Sequence, residues 1–379
     1  MKLEIALVIL ILSIGLNSCI KDEALNAEAD INFCIIKEKD ILKQQADTLK
    51  KIGTINGRIS IMVKTDTDLT HLAPEFVLTP GATIEPASGT ERDFTTPQSY
   101  TVTSQDGKWS KTYQLTFDIT EMPTIYSFEH SGLDGGVEHN KYYSFYEIAK
   151  NEQKQYIWAT GNPGYLLTGK MPDTKSPNGY PTTTNDFGVK GKCVKLETKD
   201  TGSFGALPSI NMRIAAGNVF IGSFDVNNAT SKPRESTLFG LAFQYKPVTL
   251  TGYYKYKAGK TLQDANANAV PGQKDACDIY GVFYETDDKL KSLNGADVLT
   301  SPNIVSMARL ENAGEPDEWT RFELPFIMKK GKTIDKEKLN NNKYSIAIVF
   351  TSSIEGAYFQ GAIGSTLYID EVELVFDKN

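Results

Sequence analysis

A chain of 379 residues, 23% of them charged and 40% hydrophobic, is long enough for two or three domains by size alone, each with its own core. A formal net charge of -7 excludes a general nucleic-acid binder, which needs a basic face. Four cysteines without CxxC spacing and only three histidines, at 71, 130 and 139, argue against a Cys/His zinc site.

The chain opens on a short basic segment, Met1-Lys2, followed by a nearly unbroken apolar run over residues 5–16. That run is shorter than the roughly 20 residues of a membrane-spanning helix and matches the apolar core of a secretory signal. Leu16-Asn17-Ser18-Cys19 then resembles the lipobox of bacterial lipoproteins. The resemblance implies cleavage after residue 18 and lipidation of the Cys19 thiol, whose acyl chains would hold the protein to a membrane. Acidic residues follow at Asp22 and Glu23, as in surface-exported lipoproteins of the Bacteroidota. The expected location is the outer membrane, facing the cell exterior. Residues 19–30 read as a tether.

From residue 31 to 121 short apolar runs alternate with turns. Ile59 to Val63 has strand length, and Phe76-Val77-Leu78 precedes the turn signal Pro80-Gly81. Tyr100 and Val102 share one face of a strand. Asp106-Gly107 is a hairpin dipeptide, after which Tyr113, Leu115 and Phe117 alternate. The pattern predicts a small β-sandwich. The stretches 76–84 and 100–108 resemble the bacterial Ig-like modules of Bacteroidota surface lipoproteins, which implies a spacer role.

Met122-Pro123 marks a boundary. Over 122–379 many strand-length runs follow one another with no long amphipathic helix between them. Residues 145–150 and 335–340 read as short helices or turns. Strands without intervening helices predict antiparallel sheets, hence an all-β chain: an Ig-like sandwich followed by a larger jelly-roll sandwich. In the last strand the apolar positions are 367 and 369, then 372, 374 and 376, so the register shifts at Asp370-Glu371 and predicts a bulge.

Several stretches of this second part resemble a known family. They are Trp158 to Tyr165, Lys195 to Thr198, Ala216 to Phe224, Gly252 to Tyr256, Asp278-Ile279-Tyr280, Thr351-Ser352-Ser353 and Gly364 to Val372. In this order they resemble the carbohydrate metabolism domain of Bacteroidota lipoproteins. The resemblance implies a jelly roll with a glycan-related role.

Three groups of residues could carry that role. Trp158 and Tyr165 flank a Gly/Asn/Pro loop where rings could stack on a pyranose while Asn162 bonds its hydroxyls; the alternative is that Trp158 is a core ring. Tyr254 and Tyr256 share a strand face, and Tyr280 lies on another strand; a tyrosine-lined sheet binds sugar, yet ordinary packing gives the same pattern. Asp275 and Asp278 are the carboxylates for a hydrolase reading, since glycoside hydrolysis needs two. Glu129 and Asp370 resemble the strand pair that holds calcium in some carbohydrate-binding jelly rolls, so a structural calcium ion is the one cofactor implied. The sequence holds neither G-x-S-x-G nor H-E-x-x-H. The leading expectation is a surface lipoprotein that binds a glycan or polysaccharide, in the setting of an outer-membrane uptake complex. A glycoside hydrolase and an adhesin without a sugar site are the alternatives.

Overall fold

The computed structural model describes residues 25–35, 58–62, 68–118, 122–134, 141–148, 154–169, 177–287 and 289–377. Cys19 and the signal segment lie outside the described residues, as does His139. The chain is all-β, and its two modules have separate cores.

The first module contains β1 (Ile31–Ile35), β2 (Arg58–Met62), β3 (Glu75–Leu78), β4 (Thr83–Glu85), β5 (Gln98–Thr103) and β6 (Ser110–Asp118). One sheet has the order β2-β6-β5-β4, and β1 pairs with β3 to form the other. β2 runs parallel to β6, whereas the other pairs are antiparallel. Tyr100, Val102, Tyr113, Leu115 and Phe117 all point into the core, against Ile31, Cys34 and Phe76. Alternation at period two therefore chose the buried face here as expected. Both turns form where the sequence placed them, with Gly81 and Gly107 at positive φ of 78° and 69°. The end of the expected tether is docked rather than free: Ala29 is buried, and the Asp30 carboxylate accepts from the Tyr113 hydroxyl at 2.8 Å.

The second module is a jelly-roll sandwich. The strands of its two large sheets are β7 (Ile125–Tyr126), β8 (Trp158–Thr160), β9 (Thr182–Asn185), β10 (Cys193–Glu197), β11 (Asn218–Phe224), β12 (Thr237–Phe239), β13 (Leu241–Ala242) and β14 (Lys246–Lys257). They continue with β15 (Asp278–Glu285), β16 (Leu293–Asn294), β17 (Ile304–Arg309), β18 (Thr320–Pro325), β19 (Ile327–Met328), β20 (Tyr344–Thr351) and β21 (Thr366–Asp377). A six-stranded sheet has the order β9-β10-β21-β14-β18, with β7 added to β21. A nine-stranded sheet has the order β16-β12-β11-β20-β15-β17-β19, with β8 on β11 and β13 on β20.

The main core fills the space between these sheets. Leu250, Tyr254, Tyr256, Leu367 and Ile369 from one sheet meet Ile279, Phe283, Ile346, Ile348 and Phe350 from the other. The central strands of the larger sheet are buried on both faces. On β15 and β20 the alternate residues Tyr280, Val282, Tyr284, Ala347 and Val349 form a second apolar cluster on the outer face, with Phe220 and Phe239. A strand covered on both sides reads as a continuous apolar run, so its period cannot say which face is the working one.

The bulge on the last strand is present. Thr251 pairs with Glu373 and Tyr253 with Asp370, so β21 carries one more residue than β14 across that interval, and Glu371 sits at φ 49°. The extra residue keeps Leu367, Ile369, Val372 and Leu374 in one core despite the register change. The helix expected at 335–340 forms as Lys336–Asn340, capped by Asp335, whose carboxylate accepts from the Lys338 N–H. The segment 145–150, expected as a short helix or turn, is extended as far as Ile148: Phe145 ends a strand and Glu147–Ile148 is another, because Phe145 and Glu147 alternate into the interior.

Candidate functional site

A cavity of about 570 Å³ lies on the outer face of the nine-stranded sheet. That size falls within the ~300–1,000 Å³ of small-ligand pockets. The sheet supplies its floor: Asn218 and Phe220 from β11, Phe239 from β12, Asp278 and Tyr280 from β15, Arg309 from β17 and Thr351 from β20. Connections that rise from the strand ends supply its walls. The helix Asn162–Leu166 contributes Tyr165, and the helix Gly202–Gly205 contributes Phe204. The turn Pro233–Glu235 contributes Arg234, and Gly356–Tyr358 with its preceding residue contributes Tyr358 and Glu355.

Two guanidinium groups and two carboxylates line the cavity. Asp278, only 2% exposed, takes a bidentate contact from Arg309, with Nε to Oδ1 at 3.0 Å and Nη2 to Oδ2 at 2.7 Å. Burial pushes the Asp278 carboxyl above its ordinary range, against the lowering by Arg309, and the pair raises Arg309 further above its own. The fork contact is that of an ionised carboxylate. The Arg309 guanidinium also sits 6.0 Å from the Tyr280 ring centre. Tyr280 is buried and its hydroxyl is pushed up by that burial. On another wall the Arg234 guanidinium lies 4.1 Å over the ring of Tyr358, which is 47% exposed. Glu355 is exposed, close enough to Asp278 and Arg309 to act on both electrostatically. Phe359, also on the wall, sits at φ 58°, a conformation bulky side chains rarely adopt.

Of the residues singled out from sequence, Tyr165, Asp278 and Tyr280 come together around this cavity. The others do not. Trp158 is 3% exposed, packed against Tyr126, Phe128 and Phe350, and its indole N–H donates to Glu147 at 3.0 Å. It is a core ring with no open face, which corrects the sugar-platform expectation. Asn162 is fully buried, exchanging hydrogen bonds with the Thr182 backbone at 2.8 and 3.1 Å, so its amide ties a helix start to β9. Tyr254 and Tyr256 face the space between the sheets, with their hydroxyls donating to the carbonyls of Ala313 and Ser352.

Asp275 is likewise a structural carboxylate. Its Oδ2 accepts from Ser353 Oγ at 2.6 Å, Ser365 Oγ at 2.7 Å and the Ala362 N–H at 2.7 Å. These bonds join three segments, and Asp275 is absent from the cavity lining. Glu129 and Asp370 do lie beside the same loop, but its N–H groups point at them. Val189 and Lys190 donate to Asp370 Oδ2 at 2.6 and 3.2 Å, and Lys192 donates to Glu129 Oε1 at 3.0 Å. Burial pushes the Asp370 carboxyl up to about 6. Oxygens facing amide donors do not fit calcium, which takes six to eight oxygen ligands. Among the described residues no group of three or more His, Cys, Asp or Glu side chains is placed to hold a metal ion. Cys34, Cys193 and Cys277 are buried free thiols, all pushed up by burial.

Sequence reasoning missed Arg234, Arg309, Phe204, Glu355 and Tyr358. A strand that ends on arginine opposite one that begins on aspartate was the available signal for the Asp278–Arg309 pair, but it required the β15–β17 register, in which Tyr280 pairs with Arg309. The other four sit on connections whose approach to the sheet is not local information.

Fold and cavity together define a two-module all-β protein with a ligand-sized site on the outer sheet face of its jelly roll. The chain belongs to the family described as "Putative carbohydrate metabolism domain", whose model matches residues 127–375. The model described as "SGBP, N-terminal" matches residues 41–117. A solved structure from Bacteroides thetaiotaomicron, described as a "putative glycoside hydrolase", is 50% identical over 95% of this chain and 100% of its own, with a TM-score of 0.86. Another from Bacteroides vulgatus, described in the same words, is 41% identical over 68% of this chain and 99% of its own, with a TM-score of 0.62. No curated protein matches the chain.

Proposed function

We propose that this is a cell-surface lipoprotein, anchored through Cys19, that captures glycan in the outer-face cavity of its second module. The observation that carries the reading is the makeup of that cavity. The rings of Tyr358, which is open to water, and half-buried Phe204 stand beside hydrogen-bonding groups on Asn218, Arg234, Asp278 and Arg309, with the buried rings of Tyr165 and Tyr280 completing the lining over the sheet floor. Pyranose C–H faces pack on rings while hydroxyls need fixed donors and acceptors, and a pocket with few convergent polar groups is the expected form for such a ligand. Membership of a carbohydrate-related family and an N-terminal SGBP match support the reading. Polysaccharide capture for an outer-membrane uptake complex is the setting that fits both.

The test is affinity electrophoresis of the intact chain through gels containing polysaccharides. Tyr358→Ala and Phe204→Ala should each weaken retardation about tenfold or more, as for truncated aromatic anchors. Tyr358 is half exposed, so its loss should leave the thermal midpoint nearly unchanged. Retardation that survives both substitutions unaltered would remove the cavity from the argument.

A hydrolase reading rests on one further feature: Asp278 and Glu355 share the cavity. Because Asp278 is engaged by Arg309, Glu355 is the carboxylate open to water. Release of reducing ends from a retained polysaccharide, lost in Glu355→Gln, would establish it; retention with no release would leave binding alone.

A further inference from the structure

We infer that the glycan taken by this cavity carries an acidic group, read by Arg234 stacked on Tyr358. The inference rests on the glycan reading above and specifies the ligand's chemistry. Four charged side chains line the cavity. Asp278 and Arg309 neutralise one another through their fork contact. Glu355 is exposed to water, which screens it. Arg234 is different.

Each partner of the Arg234 guanidinium is neutral. Nε donates to the Gly295 carbonyl at 3.4 Å, and Nη2 donates to the Ala296 carbonyl at 3.3 Å and to the Tyr358 hydroxyl at 3.1 Å. The guanidinium carbon lies over the Tyr358 ring, 4.1 Å from its centre. The neighbouring carboxylate on its own turn, Glu235, is bridged instead to Lys232 at 3.2 Å. Among the described residues Arg234 has no carboxylate partner, and its Nη1 amino group donates to none of them. A guanidinium oriented by dipoles and a ring keeps its full charge while losing its freedom to turn away. Such a group, on a half-buried wall, gains most from a planar anion presented by the ligand.

The cavity's other surfaces are suited to sugar rather than to a bare anion. Phe204 and Leu299 offer apolar area, and a small inorganic ion would leave that area wet. A sugar residue bearing a carboxylate or sulfate meets both demands, with its ring on the apolar walls and its anion on Nη1.

The experiment uses the intact chain in affinity gels that contain polygalacturonate, alginate, hyaluronate or chondroitin sulfate, beside neutral galactan, xylan, mannan and starch. At least one acidic polymer should retard the chain, and reducing or desulfating that polymer should weaken retardation about tenfold. Loss on carboxyl reduction assigns a uronate; loss on desulfation assigns a sulfate. Arg234→Gln keeps a polar group near the carbonyls and removes the charge. It should bring the acidic polymer down to the level of its neutralised form, with no change in thermal midpoint. Arg234→Lys, which retains charge without the fork, should fall between. Retardation by neutral polymers alone, or an Arg234→Gln affinity within twofold of wild type, would overturn the acidic-ligand inference and leave the cavity as a glycan site. Retardation by none of the eight would overturn both.

Discussion

Removing Arg309 tests whether the pair at the cavity floor is desolvated. In Arg309→Gln, Asp278 keeps the burial that raises its carboxyl and loses the guanidinium that lowers it. Breaking a fully buried pair on one side costs about 3–5 kcal/mol. Here Asp278 is 2% exposed but Arg309 34%, so some of the lost partner is replaced by water and the expected cost is about 2–3 kcal/mol at pH 7.5. The folded-state value for Asp278 then lies further above the unfolded one. The penalty is therefore absent at acid pH, grows as pH rises through the carboxylate range, and is complete above the raised folded value. Replacing both partners, as Asp278→Asn with Arg309→Gln, should recover at least half of the loss, because no buried charge remains. Urea unfolding followed by tryptophan fluorescence in a Trp109→Phe background reads the second module through Trp158 and Trp319. A cost below about 0.5 kcal/mol that is the same at pH 5 and pH 7.5 would refute the picture of a water-poor cavity floor.

Three further outcomes follow from buried groups elsewhere. Burial pushes Glu147 up to about 7, with only the Trp158 indole opposing it, so stability should be full below about pH 4.5 and fall by up to about 3 kcal/mol as pH rises to about 7. Glu147→Gln should flatten that slope in urea titrations, and an unaltered slope would assign it to other groups. Trp158→Ala should cost about 3–5 kcal/mol through the void left among Tyr126, Phe128 and Phe350, whereas Trp158→Phe should keep glycan retardation; a thermal midpoint unmoved by the alanine would contradict its core placement. Asp275→Asn turns an amide toward three donors and should destabilise by about 2–3 kcal/mol with no specific effect on any sugar release measured in the folded fraction. Lost release at wild-type stability would restore Asp275 to a chemical role.

The two kinds of residue in this protein differ in how readable they were. Tyr100, Val102, Tyr113 and Leu115 face a single core in a module with one covered side, and alternation found them. The bulge at Asp370-Glu371 was visible because the apolar register slipped by one residue. On β15, by contrast, seven of eight residues are buried, so Tyr280 on the cavity side and Phe283 on the core side looked alike in the sequence. Trp158 in its Gly/Asn/Pro surroundings looked exposed because small and turn-forming neighbours signal a loop. Its strand is in fact covered by Tyr126 and Phe128 from a segment some thirty residues earlier in the chain. Asp275 and Asp278 were the two carboxylates of a hydrolase reading, but they separate into different surroundings: one is bound by serine hydroxyls, the other by Arg309.

Composition, period-two alternation and turn residues by themselves determined the all-β class, the two-module division and most strand positions, because those are properties of neighbours along the chain. The site is an assembly of Arg234, Asp278, Arg309 and Tyr358, drawn from positions up to 124 residues apart. Only the pairing of β15 with β17 and the return of the 353–359 segment over the sheet bring them within hydrogen-bonding distance. Side-chain charge and ring chemistry are written in the sequence. Which charge keeps a partner and which ring keeps an open face is decided by tertiary packing, since burial and hydrogen bonding depend on segments that no local pattern encodes.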